Sequence, residues 1–285
     1  MILRSIGFCL VFLVAYLFIV NQLQWPSKTT NQWDDNNRQV EDFLFEKTAG
    51  EINTIIVGSS MSYRLSAQKM PVPDSVYNLS LGGQSIYEGM EIVRRSNYLP
   101  EYLLIESNLI NRSPKADYVD GIFVSGLYQL KETFDGFRYQ YRPITFVQYL
   151  YYGIKNRIPL PVKASMSANE MGIQHSVDNE DKEIREAIAN QMEMESTETD
   201  QVALLSAYVD YFMKAGVEVI FFEMPTALQS LQSTSNKQIR STLNRSFPQN
   251  RFIEYQKLYP TTDGIHIAVS DANDYLKVLL AKISG

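Results

Sequence analysis

The chain has 285 residues, 45% of them hydrophobic and 12% aromatic, enough to bury a sizeable core in one large domain or two small ones. A net charge of −6 and the lack of any Lys/Arg block disfavour nucleic-acid binding, which needs a basic footprint to neutralise phosphates. A single cysteine, Cys9, excludes an intramolecular disulfide and a thiolate zinc site, and only two histidines, His175 and His266, are available for proton transfer.

In chain order, Arg4 precedes an apolar run from Ile6 to Val20, and no charge returns until Lys28. A helix of roughly 20 mostly apolar residues spans a bilayer, so residues 1–25 read as a transmembrane anchor with Trp25 at the far interface. The positive start favours an inside N-terminus and an outside remainder, that is, a single-pass protein of the cytoplasmic membrane. A cleaved signal peptide is the rival, but residues 21–25 make a poor cleavage site and Phe8 before Cys9 spoils a lipoprotein signal. Residues 26–50 are polar and suit a tether leading into a first helix.

Residues 51–285 read as the main domain. Short β-branched or aromatic runs at 52–57, 76–79, 102–106, 217–222 and 251–255 read as strands, ended by Gly58 or Pro225 where the chain must turn. Between them, Ile86, Met90 and Val93 mark a helix over 84–97, and Val202, Leu205, Val209 and Phe212 one over 201–215. Further helices are expected over 227–245 and 270–283. This rhythm predicts an α/β domain with a mostly parallel five-stranded sheet covered on both faces, and function beyond the carboxyl ends of the strands.

Residues 112–200 break the rhythm and read as an insertion beside the sheet, cap-like in placement. The first part is rich in tyrosine (Tyr118, Tyr128, Tyr139, Tyr141, Tyr149, Tyr151, Tyr152), and half-buried packing outweighs sugar stacking as its explanation. The acidic part, 177–200, reads as a solvated helix or loop.

Four segments carry chemistry: Gly58-Ser59-Ser60-Met61, Asn78-Leu79-Ser80-Leu81-Gly82-Gly83, Ser107-Asn108 and Asp263-Gly264-Ile265-His266. Ser60 follows a strand and a glycine, where a turn can lift a hydroxyl above the sheet edge. The segment is not the Gly-x-Ser-x-Gly elbow, because Ser62 holds the last glycine position. Asp263 and His266 are spaced so that a short turn brings the carboxylate onto one imidazole nitrogen and leaves the other for a serine proton. His175, in a polar stretch, reads as a surface residue. A backbone N–H at Gly83 and the Asn108 amide are suitable oxyanion donors. Gly82-Gly83 equally fits a plain tight turn, and Asn108 a strand-end cap.

In this order of blocks the chain resembles the SGNH hydrolase superfamily, also called the GDSL family, over roughly residues 50–112 and 201–284. The resemblance implies a flavodoxin-like three-layer sandwich. It also implies Ser60 as nucleophile, Gly83, Asn108 and the Ser60 N–H as oxyanion donors, and Asp263 with His266 as the rest of a triad. The first block has Ser59 where many members have Asp, and the third reads Glu106-Ser107-Asn108-Leu109 where Gly-x-Asn-Asp is usual. Both departures, with the anchor, lean towards the branch similar to alginate O-acetyltransferases and to the protein that assists D-alanylation of teichoic acid. The expectation is a membrane-anchored, extracytoplasmic serine acyl-enzyme that needs no metal or organic cofactor. It would take an acyl group, most simply acetyl, from a small-molecule or membrane-protein donor and pass it to a cell-surface polysaccharide. An esterase or deacetylase shares every one of these residues, and a non-catalytic surface-assembly protein would keep only the fold.

Overall fold

The computed structural model describes residues 2–22, 32–47, 51–65, 75–96, 98–144, 147, 151, 198–255 and 257–283. The chain divides into two compact units, Met1–Glu46 with Asp120–Ser165, and Lys47–Val119 with Met166–Gly285. His175, Trp25 and the acidic stretch up to residue 197 lie outside the described residues.

The first unit is helical. The apolar N-terminal run forms α1 (Ile2–Gln22). Among the described residues no helix is long and apolar enough to cross a membrane. Within the polar stretch 26–50, α2 (Gln32–Glu41) continues into a π-helical turn (Asp42–Glu46). Asp34 and Asp35 lie in the first turn of α2 and Arg38 in the last, each complementing the helix dipole. Val40 and Phe43 are its buried apolar contacts. From the insertion come α6 (Ser125–Thr133) and two 3-10 turns (Asp135–Phe137 and Tyr139–Tyr141), after α5 (Ala116–Ile122) at the boundary.

The second unit is a three-layer α/β structure. Five strands, β1 (Thr54–Val57), β2 (Val76–Asn78), β3 (Tyr102–Glu106), β4 (Glu218–Phe222) and β5 (Arg251–Ile253), form one sheet in the order β2-β1-β3-β4-β5. All four pairings are parallel. This is a doubly wound order consistent with a flavodoxin-like sandwich, and the winding reverses between β1 and β3. Alternate strand residues supply opposite faces. Ile56, Leu104, Ile220 and Phe222 pack with Tyr275, Leu276 and Leu279 of the C-terminal helix α10 (Val269–Ala281). Their neighbours Ile55, Val57, Leu103, Ile105 and Phe221 are equally buried. On their side lie α4 (Ile86–Ser96), whose Gly89 backs onto Val57, and α7 (Glu198–Lys214), packed on β4. The helix expected over 227–245 is two helices, α8 (Leu228–Leu231) and α9 (Thr234–Ser246). Ser233 splits them because its side chain caps α9, accepting from the Asn236 N–H.

Candidate active site

The chain leaves β1 at Val57 and turns through Gly58 into a single helical turn, α3 (Ser60–Tyr63). Ser59 is the cap, its Oγ accepting from the Met61 N–H at 3.2 Å. Met61 is fully buried in the α10 face of the core, an anchoring of about 1.5–3 kcal/mol for a side chain of this size. Gly58, Ser59, Met61 and Ser62 are all buried, and only Ser60 reaches the surface.

Beneath this turn lies Glu106, the last residue of β3, fully buried. Its Oε1 accepts from Ser59 Oγ at 2.7 Å, and its Oε2 accepts from the N–H groups of Ser59 at 2.9 Å and Ser62 at 3.1 Å. Ser62 Oγ also donates to Oε2 at 2.5 Å and stands 2.8 Å from Ser80 Oγ. Register explains the meeting: Val57 pairs with Ile105, so the next residues along, Gly58 and Glu106, come side by side. The approach leaves no room for a side chain at Gly58, where a Cβ would lie 1.9 Å from Ser62 Oγ and 2.6 Å from Glu106 Oε2.

The third element is the loop before α10, closed by a bridge between Thr261 and Ile267 and by the Thr262 N–H donating to the His266 carbonyl at 2.9 Å. Gly264 sits at its tip with φ 79°, the left-handed region where a side chain is strained. Its carbonyl accepts from the Ala227 N–H, which ties the loop to the segment after β4. Asp263 Oδ1 accepts from the N–H groups of Ile265 (3.1 Å) and His266 (2.7 Å). Its Oδ2 lies 2.6 Å from His266 Nδ1, and His266 Nε2 lies 3.0 Å from Ser60 Oγ. A carboxylate on Nδ1 places the ring proton there and leaves the Nε2 lone pair for the serine hydroxyl. Partial burial pushes the Asp263 carboxyl up, but the hydrogen bonds and charge of His266, with the two backbone N–H groups, outweigh it and hold it at about 2.

Gly83 and Asn108 are placed differently. Gly83 occupies a turn with φ 69° directly ahead of α4, and Leu81 in the same loop donates its N–H to the Gly58 carbonyl at 3.0 Å. The loop carbonyls are held by cations: Lys115 Nζ lies 3.2 Å from Gly83 O, and Arg112 donates to Gln84 O at 3.0 Å. Asn108 is buried and its amide grips the Met224 backbone, donating to the carbonyl at 3.0 Å and accepting from the N–H at 2.7 Å. One of its two amide N–H groups is thereby used, and the other is its remaining donor.

Ser60, His266 and Asp263 are thus joined from a strand end, a turn and a loop that are 206 positions apart at the widest. Glu106, Met224, Lys115 and Arg112 belong to no motif that marks a role in the sequence. Glu106 stands out only as an acidic residue closing a strand whose Leu103, Leu104 and Ile105 are core, which does not reveal its partners. Among the described residues no group of three or more His, Cys, Asp or Glu side chains is placed to hold a metal ion. Comparison with protein-family models, with curated proteins and with solved structures finds no match.

Proposed function

We propose that this chain is a membrane-anchored, extracytoplasmic serine acyl-enzyme that transfers an acyl group, most simply acetyl, to a cell-surface polysaccharide. The observation that carries the reading is the continuous relay from Asp263 through His266 to Ser60, with contacts of 2.6 and 3.0 Å. Its agreement with the SGNH-like order of blocks, and with a sheet whose switch point lies between β1 and β3, supports the same reading.

In the first half-reaction Ser60 Oγ attacks the carbonyl of an ester or thioester donor while His266 Nε2 takes the hydroxyl proton. Asp263 holds the imidazole and stabilises the imidazolium. The donors proposed for the oxyanion are the Ser60 N–H, the Gly83 N–H and the second amide hydrogen of Asn108. Collapse expels the donor's alkoxide or thiolate, which takes the proton from His266 and leaves acyl-Ser60. A sugar hydroxyl then gives its proton to His266 and attacks the acyl carbon, and on collapse the Ser60 oxygen leaves and takes that proton back from His266, restoring both residues. If water takes the place of the sugar, the same residues run an esterase, which is the second reading.

The membrane half of the proposal rests on the charge-free run after Arg4 and on α1, where Ile6, Phe8, Val11, Phe12, Val14 and Phe18 are all exposed. The catalytic half is tested with a fluorophosphonate probe. The adduct should map to Ser60 by peptide mass spectrometry and vanish in Ser60→Ala. An adduct on Ser59 or Ser62, or none while acetyl ester is still consumed, would overturn it.

A further inference from the structure

In the first unit a buried ion pair lies close to a row of exposed apolar side chains. Lys131 and Glu41 are both buried and paired, Nζ to Oε1 at 2.7 Å, and the second Glu41 oxygen accepts from the Tyr139 N–H. Arg138 is buried beside them. It donates from Nε to the Lys131 carbonyl at 3.0 Å, pairs with Asp135 at 2.8 Å, and lies 5.2 Å from the centre of the Phe45 ring. Outside this charged interior, Val124, Leu127, Leu130 and Phe134 are exposed at 53, 37, 41 and 49%. Most of the large hydrophobic side chains exposed among the described residues belong to this unit.

On α6 the pattern is ordered. Leu127 and Leu130 are three residues apart and share one side of the helix, while the exposed Gln129, Glu132 and Thr133 occupy another. Lys131 points to the interior. A buried Lys–Glu pair costs desolvation even when paired, and it is the row of exposed apolar side chains beside it, not any one leucine, that marks a contact surface. In lipid the same arrangement is favoured, because charged groups pair inward and apolar side chains meet the acyl chains. The turn that follows the stripe also touches α1. The Tyr16 hydroxyl donates to the Tyr141 carbonyl, and α1 packs against the Asp135–Phe137 turn that follows α6.

We propose that the α6 stripe, with Phe134 beyond it, seats in the headgroup–acyl boundary of the bilayer beside α1, as a second and interfacial membrane contact. This rests on the membrane half of the function proposed above and is independent of the catalytic half.

The test uses the full-length chain in vesicles of phosphatidylethanolamine and phosphatidylglycerol, with one nitrobenzoxadiazole-labelled cysteine at a time. The label at native Cys9 reports on α1. Leu130→Cys in a Cys9→Ser background reports on α6, and Leu258→Cys in that background, at an exposed site of the other unit, is the aqueous control. Substitution at exposed positions should leave the fold intact, checked by fluorophosphonate labelling and circular dichroism. The expected result is a blue-shifted label at 130, quenched by doxyl lipid and protected from iodide several-fold relative to 258. A lipid-buried label at Cys9 with a freely iodide-quenched label at 130 would overturn the inference and leave the anchor standing. Water exposure at both would overturn both. Protection at 130 from iodide without quenching by doxyl lipid would mean that protein, not lipid, covers the stripe, and would equally overturn the proposal.

Discussion

Asp263 is subject to opposed pulls, and their balance sets a measurable acidity. Burial favours the neutral acid, while His266 and two backbone N–H groups favour the carboxylate and prevail, giving about 2 against an ordinary 3.8. Because the folded value lies below the unfolded one, ionised Asp263 contributes stability above pH 3.8 and loses that contribution as pH falls towards about 2. Its 39% side-chain exposure keeps that contribution small. A carbon-detected NMR titration should therefore find this carboxyl still ionised at pH 3, and a midpoint near 4 would show that the His266 contact is not maintained in solution. In Asp263→Asn the amide no longer favours the tautomer with Nδ1 protonated or the imidazolium. Turnover of a small acetyl ester should fall by about 10⁴, the scale of such a loss in other serine triads, with folding retained. A loss below tenfold would remove Asp263 from the relay.

At the scale of elements, two strand ends cooperate to hold the serine turn, and Glu106 is the joint between them. Glu106→Ala would strand the buried N–H groups of Ser59 and Ser62, at about 1–3 kcal/mol each, and open a cavity besides. In Glu106→Gln the amide oxygen can keep both N–H bonds while its NH₂ donates to Ser59 Oγ, which turns from donor to acceptor. Gln should thus keep most of the fluorophosphonate reactivity, and Ala should lose it together with several degrees of melting temperature. Wild-type labelling in the Ala variant would reduce Glu106 to a bystander. That joint was not legible in the sequence, because its partners are 44 to 47 positions away and meet it only through the β1–β3 register. Asn108 is similar, since its grip on Met224 spans 116 positions. What could be read was local: β-branched runs ended by Gly58 or Pro225, the stripe of Ile86, Met90 and Val93, and the short Asp263–His266 turn. The break between α8 and α9 escaped because Ser233 acts by capping, which hydrophobic spacing does not register. The inward placing of Lys131 on α6 escaped because a buried lysine contradicts the usual sorting of residues.

For the whole molecule, the proposed function turns on which nucleophile would reach acyl-Ser60. Water needs no site, whereas a sugar hydroxyl held in line with the acyl carbon gains an effective molarity of about 10⁵–10⁸ M. In the proposed mechanism partition would therefore be decided by acceptor binding rather than by the Ser60–His266–Asp263 relay, which would serve both fates equally. If the chain is anchored as proposed, it would meet exported glycan at high local concentration, and its donor would not need to diffuse far. Supplying a pseudo-substrate acetyl ester with increasing cell-surface oligosaccharide should then give acetylated sugar that saturates with acceptor, at the expense of free acetate. Donor consumption should also rise with acceptor if release from Ser60 limits turnover. Mass spectrometry of the sugar, with acetate measured in parallel, reads both products. If acetate remains the only product across a range of glycans, and acetylated glycan loses its acetyl groups to the wild type but not to Ser60→Ala, the chain is an esterase working on the same polymer.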